Sequence, residues 1–143
     1  MVEFISYNNE QIALLIKGDY IPQNTSFFTE KSMPQQVGFI VHKKGDRVFA
    51  HKHNFSEKKN SNFQEILIIR KGKLRLDLYT NKEEYIKSVV VNKGDVVILL
   101  QGGHGVNFLE DSEILEIKQG PYLDEEDKIF IKEIDSSKVI TND

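Results

Sequence analysis

Apolar residues in this chain come in short runs that alternate with polar ones or stand unbroken for four to six positions, with turn-forming residues between them. Leu74, Leu76 and Leu78 alternate with Arg75, Asp77 and Tyr79, the period-two pattern of a strand with one face buried. Val96 to Leu100 is apolar throughout, as in a strand covered on both faces. Further strands are predicted over Val2 to Ile5, Glu65 to Ile69, Tyr85 to Val91, Val106 to Leu109, Ile114 to Ile117 and Ile129 to Ile131. Ile12 to Ile16 is too short for period to separate helix from strand. Gly38 to Val41 and Arg47 to His53 flank Lys43-Lys44-Gly45-Asp46, a strand–turn–strand signal, and Lys71-Gly72-Lys73 marks a second one. Residues 18–36 read mostly as loop, with one brief strand at Phe27-Phe28. Residues 54–64 are polar without a period and read as a surface loop, while the tail after Ile134 looks loosely held. About ten short strands and no convincing amphipathic helix predict an all-β sandwich or barrel.

A length of 143 residues fits one domain with one core, and 39% hydrophobic and 29% charged residues are ordinary globular values. Nineteen Lys and Arg against 22 Asp and Glu give a net charge of −3, so nucleic acid is not an expected partner. No stretch has the length and apolarity of a membrane span, and the first residues lack a basic start followed by an apolar run, so the expectation is a soluble cytoplasmic protein. The absence of cysteine leaves histidine and carboxylate as side-chain metal ligands. On a strand, His51 and His53 leave from the same face as Phe49, and Glu65 shares a face with Leu67 and Ile69. A carboxylate beginning an inward apolar row must be solvated, paired or bound to a cation. Two imidazoles and a carboxylate suit Mn, Fe, Co, Ni, Cu or Zn. Each residue alone reads equally as a surface group, two histidines on an exposed edge and a carboxylate at a strand entry.

The spacing Gly45-x5-His51-x-His53, followed by Glu65-x6-Gly72, resembles the first motif of the cupin family. The 11 residues between His53 and Glu65 form a longer loop than the family's shortest pattern. Gly94-Asp95, Gly102, His104 and Asn107 resemble the second motif, with Leu100 in place of its proline and one residue fewer before both the histidine and the asparagine. The resemblance covers roughly residues 38–120. It implies a cupin-type jelly-roll barrel occupying residues 1–143 as a single domain, with N-terminal strands at 2–16 and a C-terminal strand and tail over 121–143. It also implies a divalent transition metal (Fe, Mn, Ni or Zn) held by His51, His53, Glu65 and His104. The segment from Gly102 to Tyr122 is similar to small single-domain cupins encoded among surface-polysaccharide and sugar-nucleotide genes.

Three functions remain open on this reading. The first is a metalloprotein acting on or binding a small polar molecule, carbohydrate derivatives among the candidates; as an enzyme it would be a metal-dependent oxygenase or an isomerase or epimerase. The second is a non-catalytic ligand-binding or regulatory module, and the third a purely structural barrel without metal. Glu116 and Lys118 share a strand face and serve as acid and base if that face is inward, or are merely solvated if Leu115 and Ile117 are inward instead. His42 has no motif position, and Asp124 to Asp127 reads as a solvated turn. A homodimer is an expectation by fold analogy, with residues 2–16 as a strand able to pair or exchange.

Overall fold

The computed structural model describes residues 1–33, 35–39, 41–47, 49, 51, 64–119 and 129–141. They fall into two compact units, Met1–Tyr20 with Phe63–Asp143, and Ile21–Asn62. The chain is all-β: ten strands lie among the described residues, in three antiparallel sheets, none closed on itself. No helix among the described residues is long and apolar enough to cross a membrane.

The first unit contains two of the sheets. The larger has the order β1 (Val2–Tyr7), β2 (Glu10–Ile16), β8 (Val96–Leu99), β5 (Glu65–Lys71) and β10 (Glu113–Lys118). The smaller has the order β7 (Tyr85–Asn92), β6 (Lys73–Tyr79) and β9 (Gly103–Phe108). Ile12 to Ile16 is thus a strand, paired with both β1 and β8. Register sets the inner face of the larger sheet. Leu15, Val97, Leu67 and Glu116 stand in one cross-strand row, and Ala13, Leu99, Glu65 and Lys118 in the next. From the smaller sheet Leu74, Leu76 and Leu78 pack onto these rows, so that both sheets contribute to one apolar core. The unbroken apolar run of β8 follows from its place, buried within the larger sheet between β2 and β5. Between β7 and β8 the Asn92-to-Asp95 turn is held by Asp95, whose carboxylate accepts from Asn92 N at 2.9 Å and Gly18 N at 2.8 Å.

Strand β6 is covered on both faces, where alternation predicted only one. Opposite the leucines lies Asp77, 4% exposed, in a sheet where an unpaired carboxylate would be strongly disfavoured. Arg75 donates to it through Nε at 2.8 Å and through its second guanidinium nitrogen at 3.0 Å. Asn107 Nδ2 donates at 2.7 Å, and Ser88 Oγ donates to Oδ1. The hydrogen bond to Asp77 raises the Arg75 pKa above its ordinary value, so the guanidinium is locked in its charged form.

The C-terminal segment lies beyond this cluster. The predicted strand over Ile129 to Ile131 does not form: Ile129 and Phe130 are 87% and 93% exposed and join no ladder. The tail after Ile134 is, by contrast, tied down. Ile134 N donates to the Tyr79 hydroxyl at 3.0 Å, and Ile140 N to the Tyr85 hydroxyl at 2.9 Å. Ser88 N donates to Ile140 O at 2.8 Å, beside a parallel bridge between Ser88 and Thr141. A 3-10 turn at Ser136–Lys138 is capped by Asp135, which accepts from Ser137 N and Oγ. These bonds, the backbone one first, lower the Asp135 pKa, so the cap is present at neutral pH and is lost as pH falls through that depressed value.

The second unit is a small hairpin of β3 (Ser26–Phe27) and β4 (Gly38–Phe39), with Phe28 edge-on to Phe39 at 6.1 Å. Lys43 to Asp46 forms the predicted turn, closed by Lys43 N donating to Asp46 Oδ2 at 2.9 Å. The predicted strand over Arg47 to His53 is not formed at its described positions, Arg47, Phe49 and His51. Phe49 is 71% exposed, so no buried face favours a strand, and its ring carries the Arg47 guanidinium at 4.4 Å instead. His53, the loop over 54–63 and the acidic run Asp124 to Asp127 lie outside the described residues.

Removing the central acceptor of the β6 cluster strands three donors. Asp77→Ala is expected to lower the unfolding free energy by about 3 kcal/mol, measured by urea denaturation.

Candidate functional site

Glu65 opens β5 on the inner face, between Leu99 and Lys118 in register, and its side chain is almost enclosed. His104 lies in β9 on the facing sheet, paired with Leu78, on the side that carries Val106 into the core. The two side chains meet: His104 Nε2 stands 3.1 Å from Glu65 Oε2. Glycines flanking His104 predicted either a tight turn or an inward imidazole, and the structure has a strand beginning at Gly103. Only Gln101 and Gly102 bend, with Gly102 at φ +81° and its N–H donating to Asn81 Oδ1 at 3.1 Å. A Cβ at Gly102 would strike the Tyr79 carbonyl, so both conformation and space call for glycine before the histidine.

A cavity of about 490 Å³ opens beside this pair. Glu116 and Lys118 line it, so the inward reading of the two left open by the sequence holds, with the Glu116 side chain still 44% exposed. Their register opposite Leu67 and Glu65 puts them on the inner face, and Ile114, which left the alternation ambiguous, packs against the core on that same face. Lys118 Nζ lies 3.9 Å from Glu116 Oε1, a loose pair on the cavity wall. Tyr79, Ile129, Phe130, Ile131 and Glu133 also line the cavity and were not anticipated. Tyr79 was hidden by the apparent half-buried pattern of β6. No periodicity marks the C-terminal residues.

Of the four expected metal ligands, Glu65 and His104 are brought together in the first unit. His51 belongs to the second unit, exposed, with Nδ1 2.8 Å from Phe49 O. His53 lies outside the described residues. His42, without a motif position, stands 3.5 Å from Asp46 on the surface. Asn107 takes its place in the Asp77 cluster on the outer face of β9. Among the described residues no group of three or more histidine or acidic side chains is arranged to hold a metal ion. The Glu65–His104 separation nonetheless suits shared coordination, since two ligands about 2.1 Å from one cation at a right angle stand about 3.0 Å apart. One imidazole nitrogen and one carboxylate oxygen also form a donor set that first-row divalent metals accept.

The fold and site together define an all-β protein with a cavity of mixed polar and apolar lining at the edge of two packed sheets and a histidine–carboxylate pair in its wall. The chain matches no family model, no curated protein and no solved structure.

Gly102→Ala tests how the pair is positioned. The strained turn is expected to cost about 1–3 kcal/mol in a thermal melt and to shift the His104 ring resonances in an NMR spectrum, while Gly45→Ala, with open space around it, leaves those resonances in place.

Proposed function

We propose that this protein is a metal-binding protein of the cupin type, a jelly roll whose cavity takes a small polar, carbohydrate-like molecule beside one divalent transition metal. The observation that carries the proposal is the convergence of Glu65 and His104 from two facing sheets on one cavity wall. His51 and His53 enter as further ligands on their motif spacing alone. A metal held there supplies a Lewis acid able to polarise an oxygen of the bound molecule. The chain's own groups do the rest. Glu65 and His104 present an oxygen and a nitrogen to the same point, Glu116 accepts hydrogen bonds or a proton from a ligand hydroxyl, and Lys118 donates to a ligand oxygen. The apolar side chains of Leu99 and Val106 limit water at the base.

The same 3.1 Å contact also supports a second reading, in which the imidazole and the carboxylate bind a polar ligand directly, without metal.

Elemental analysis and thermal melts with and without chelator separate the two. A metal present at 100 times its dissociation constant adds about 2.7 kcal/mol to stability, and Glu65→Ala, His104→Ala and His53→Ala are each expected to abolish that increment. No bound metal and no melting shift on adding Mn, Fe, Ni or Zn would refute the metal reading. The metal-free reading predicts instead that chelator leaves the melt unchanged.

A further inference from the structure

The C-terminal residues Ile129 to Ile134 have a position that neither the core nor the metal reading uses. They face the cavity on one side, with Ile129, Phe130, Ile131 and Glu133 in its lining. Ile131 packs against β9 at the residue before His104, where a Cβ on Gly103 would lie 2.9 Å from Ile131 Cδ1, on the strand face opposite the His104 ring. Yet Ile129 and Phe130 are almost fully exposed, so two large apolar side chains stand in water at the rim of the cavity. What fixes the segment is remote from the cavity's polar groups. Ile134 N donates to the Tyr79 hydroxyl at 3.0 Å, and Ile140 is bonded through its N–H to Tyr85 and through its carbonyl to Ser88 N. Tyr79 and Tyr85 are themselves stacked edge to face at 5.7 Å, so the anchors share one support on the smaller sheet.

We propose that residues 129–134 are a wall of the cavity that controls access to the Glu65–His104 pair, and that Tyr79 and Tyr85 are positioning residues that hold it in place. It brings Ile129, Phe130 and Ile131, with one carboxylate, Glu133, to a cavity whose lining elsewhere carries Glu65, Glu116 and Lys118. A molecule with one polar, hydrogen-bonding end and one flat or alkyl part fits both sides, the second part meeting Phe130 as the wall closes. This rests on the reading of the cavity as a ligand site. It does not require a metal.

The test uses the full chain in chelator, with diethyl pyrocarbonate as a small probe of His104 and peptide mass spectrometry to read each histidine separately. His42, exposed and in the other unit, is the internal reference. Hydrogen exchange at the Ile134 and Ser88 amides reports whether the wall is held. Tyr79→Phe keeps the ring and removes one anchor; Ile140→Pro removes the other donor from the segment itself and leaves the Asp77 cluster untouched. Tyr79→Phe is expected to lose protection at the Ile134 amide, and Ile140→Pro at the Ser88 amide that donates to the carbonyl of residue 140; both are expected to carbethoxylate His104 about fivefold faster, with the His42 rate unchanged. Lost protection with an unchanged His104 rate would overturn the proposal, because the segment would then open without exposing the pair. Retained protection would overturn it too, since the tyrosines would not be holding the wall. The metal reading fails by a different measurement, the absence of metal, which leaves these rates as they are.

Discussion

The structure depends on burying strand β6 from both sides. On one side the requirement is apolar: Leu74, Leu76 and Leu78 are fully enclosed and form the centre of the core shared by the two sheets. On the other side it is polar, because Asp77 is buried where water cannot solvate a charge, and only a complete set of donors makes that tolerable. Arg75, Ser88 and Asn107 come from all three strands of the smaller sheet, so satisfying one carboxylate aligns β7, β6 and β9. Specific register is thereby imposed on a sheet that apolar packing alone would constrain less sharply.

His104 inherits its position from this alignment. It lies three residues before Asn107, on the opposite face of β9, so the Asp77 cluster that fixes the outer side of the strand also fixes the ring on the inner side. Glu65 arrives independently, on a strand whose neighbours Val97 and Leu99 are pinned in the larger sheet. The pair is a contact between two separately determined surfaces. Its 3.1 Å geometry is therefore sensitive to the spacing of the sheets as well as to the two side chains.

Much of this was legible in the sequence, for identifiable reasons. Alternation located β6 and an unbroken apolar run located β8, while the glycine turns expected to close hairpins at Gly72 and Gly94 instead join strands of different sheets. Glu65 could be picked out because a carboxylate at the head of an inward row is physically unusual. The inward direction of Glu116 and Lys118 could not, because Ile114 and Ile117 give β10 apolar residues on both faces and only pairing with β5 chooses between them. The strand expected at Arg47 failed at its described positions because local contacts, Arg47 on Phe49 and His51 beside the Phe49 carbonyl, are satisfied without a ladder. The docking of Ile134 and Ile140 was invisible for a different reason. Backbone donors meeting tyrosine hydroxyls leave no pattern in residue type.

The bond between Ile140 and Tyr85 spans 55 residues of chain, as does that between Ile134 and Tyr79. Closing loops of that length forfeits conformational entropy that only a few hydrogen bonds offset, so these contacts come apart first. The β6–β7 hairpin forms from contacts much closer in sequence, whereas pairing β2 with β8, Ala13 with Leu99, closes a longer loop than either anchor. Opening the wall therefore breaks only a few hydrogen bonds and leaves the paired strands of both sheets in place.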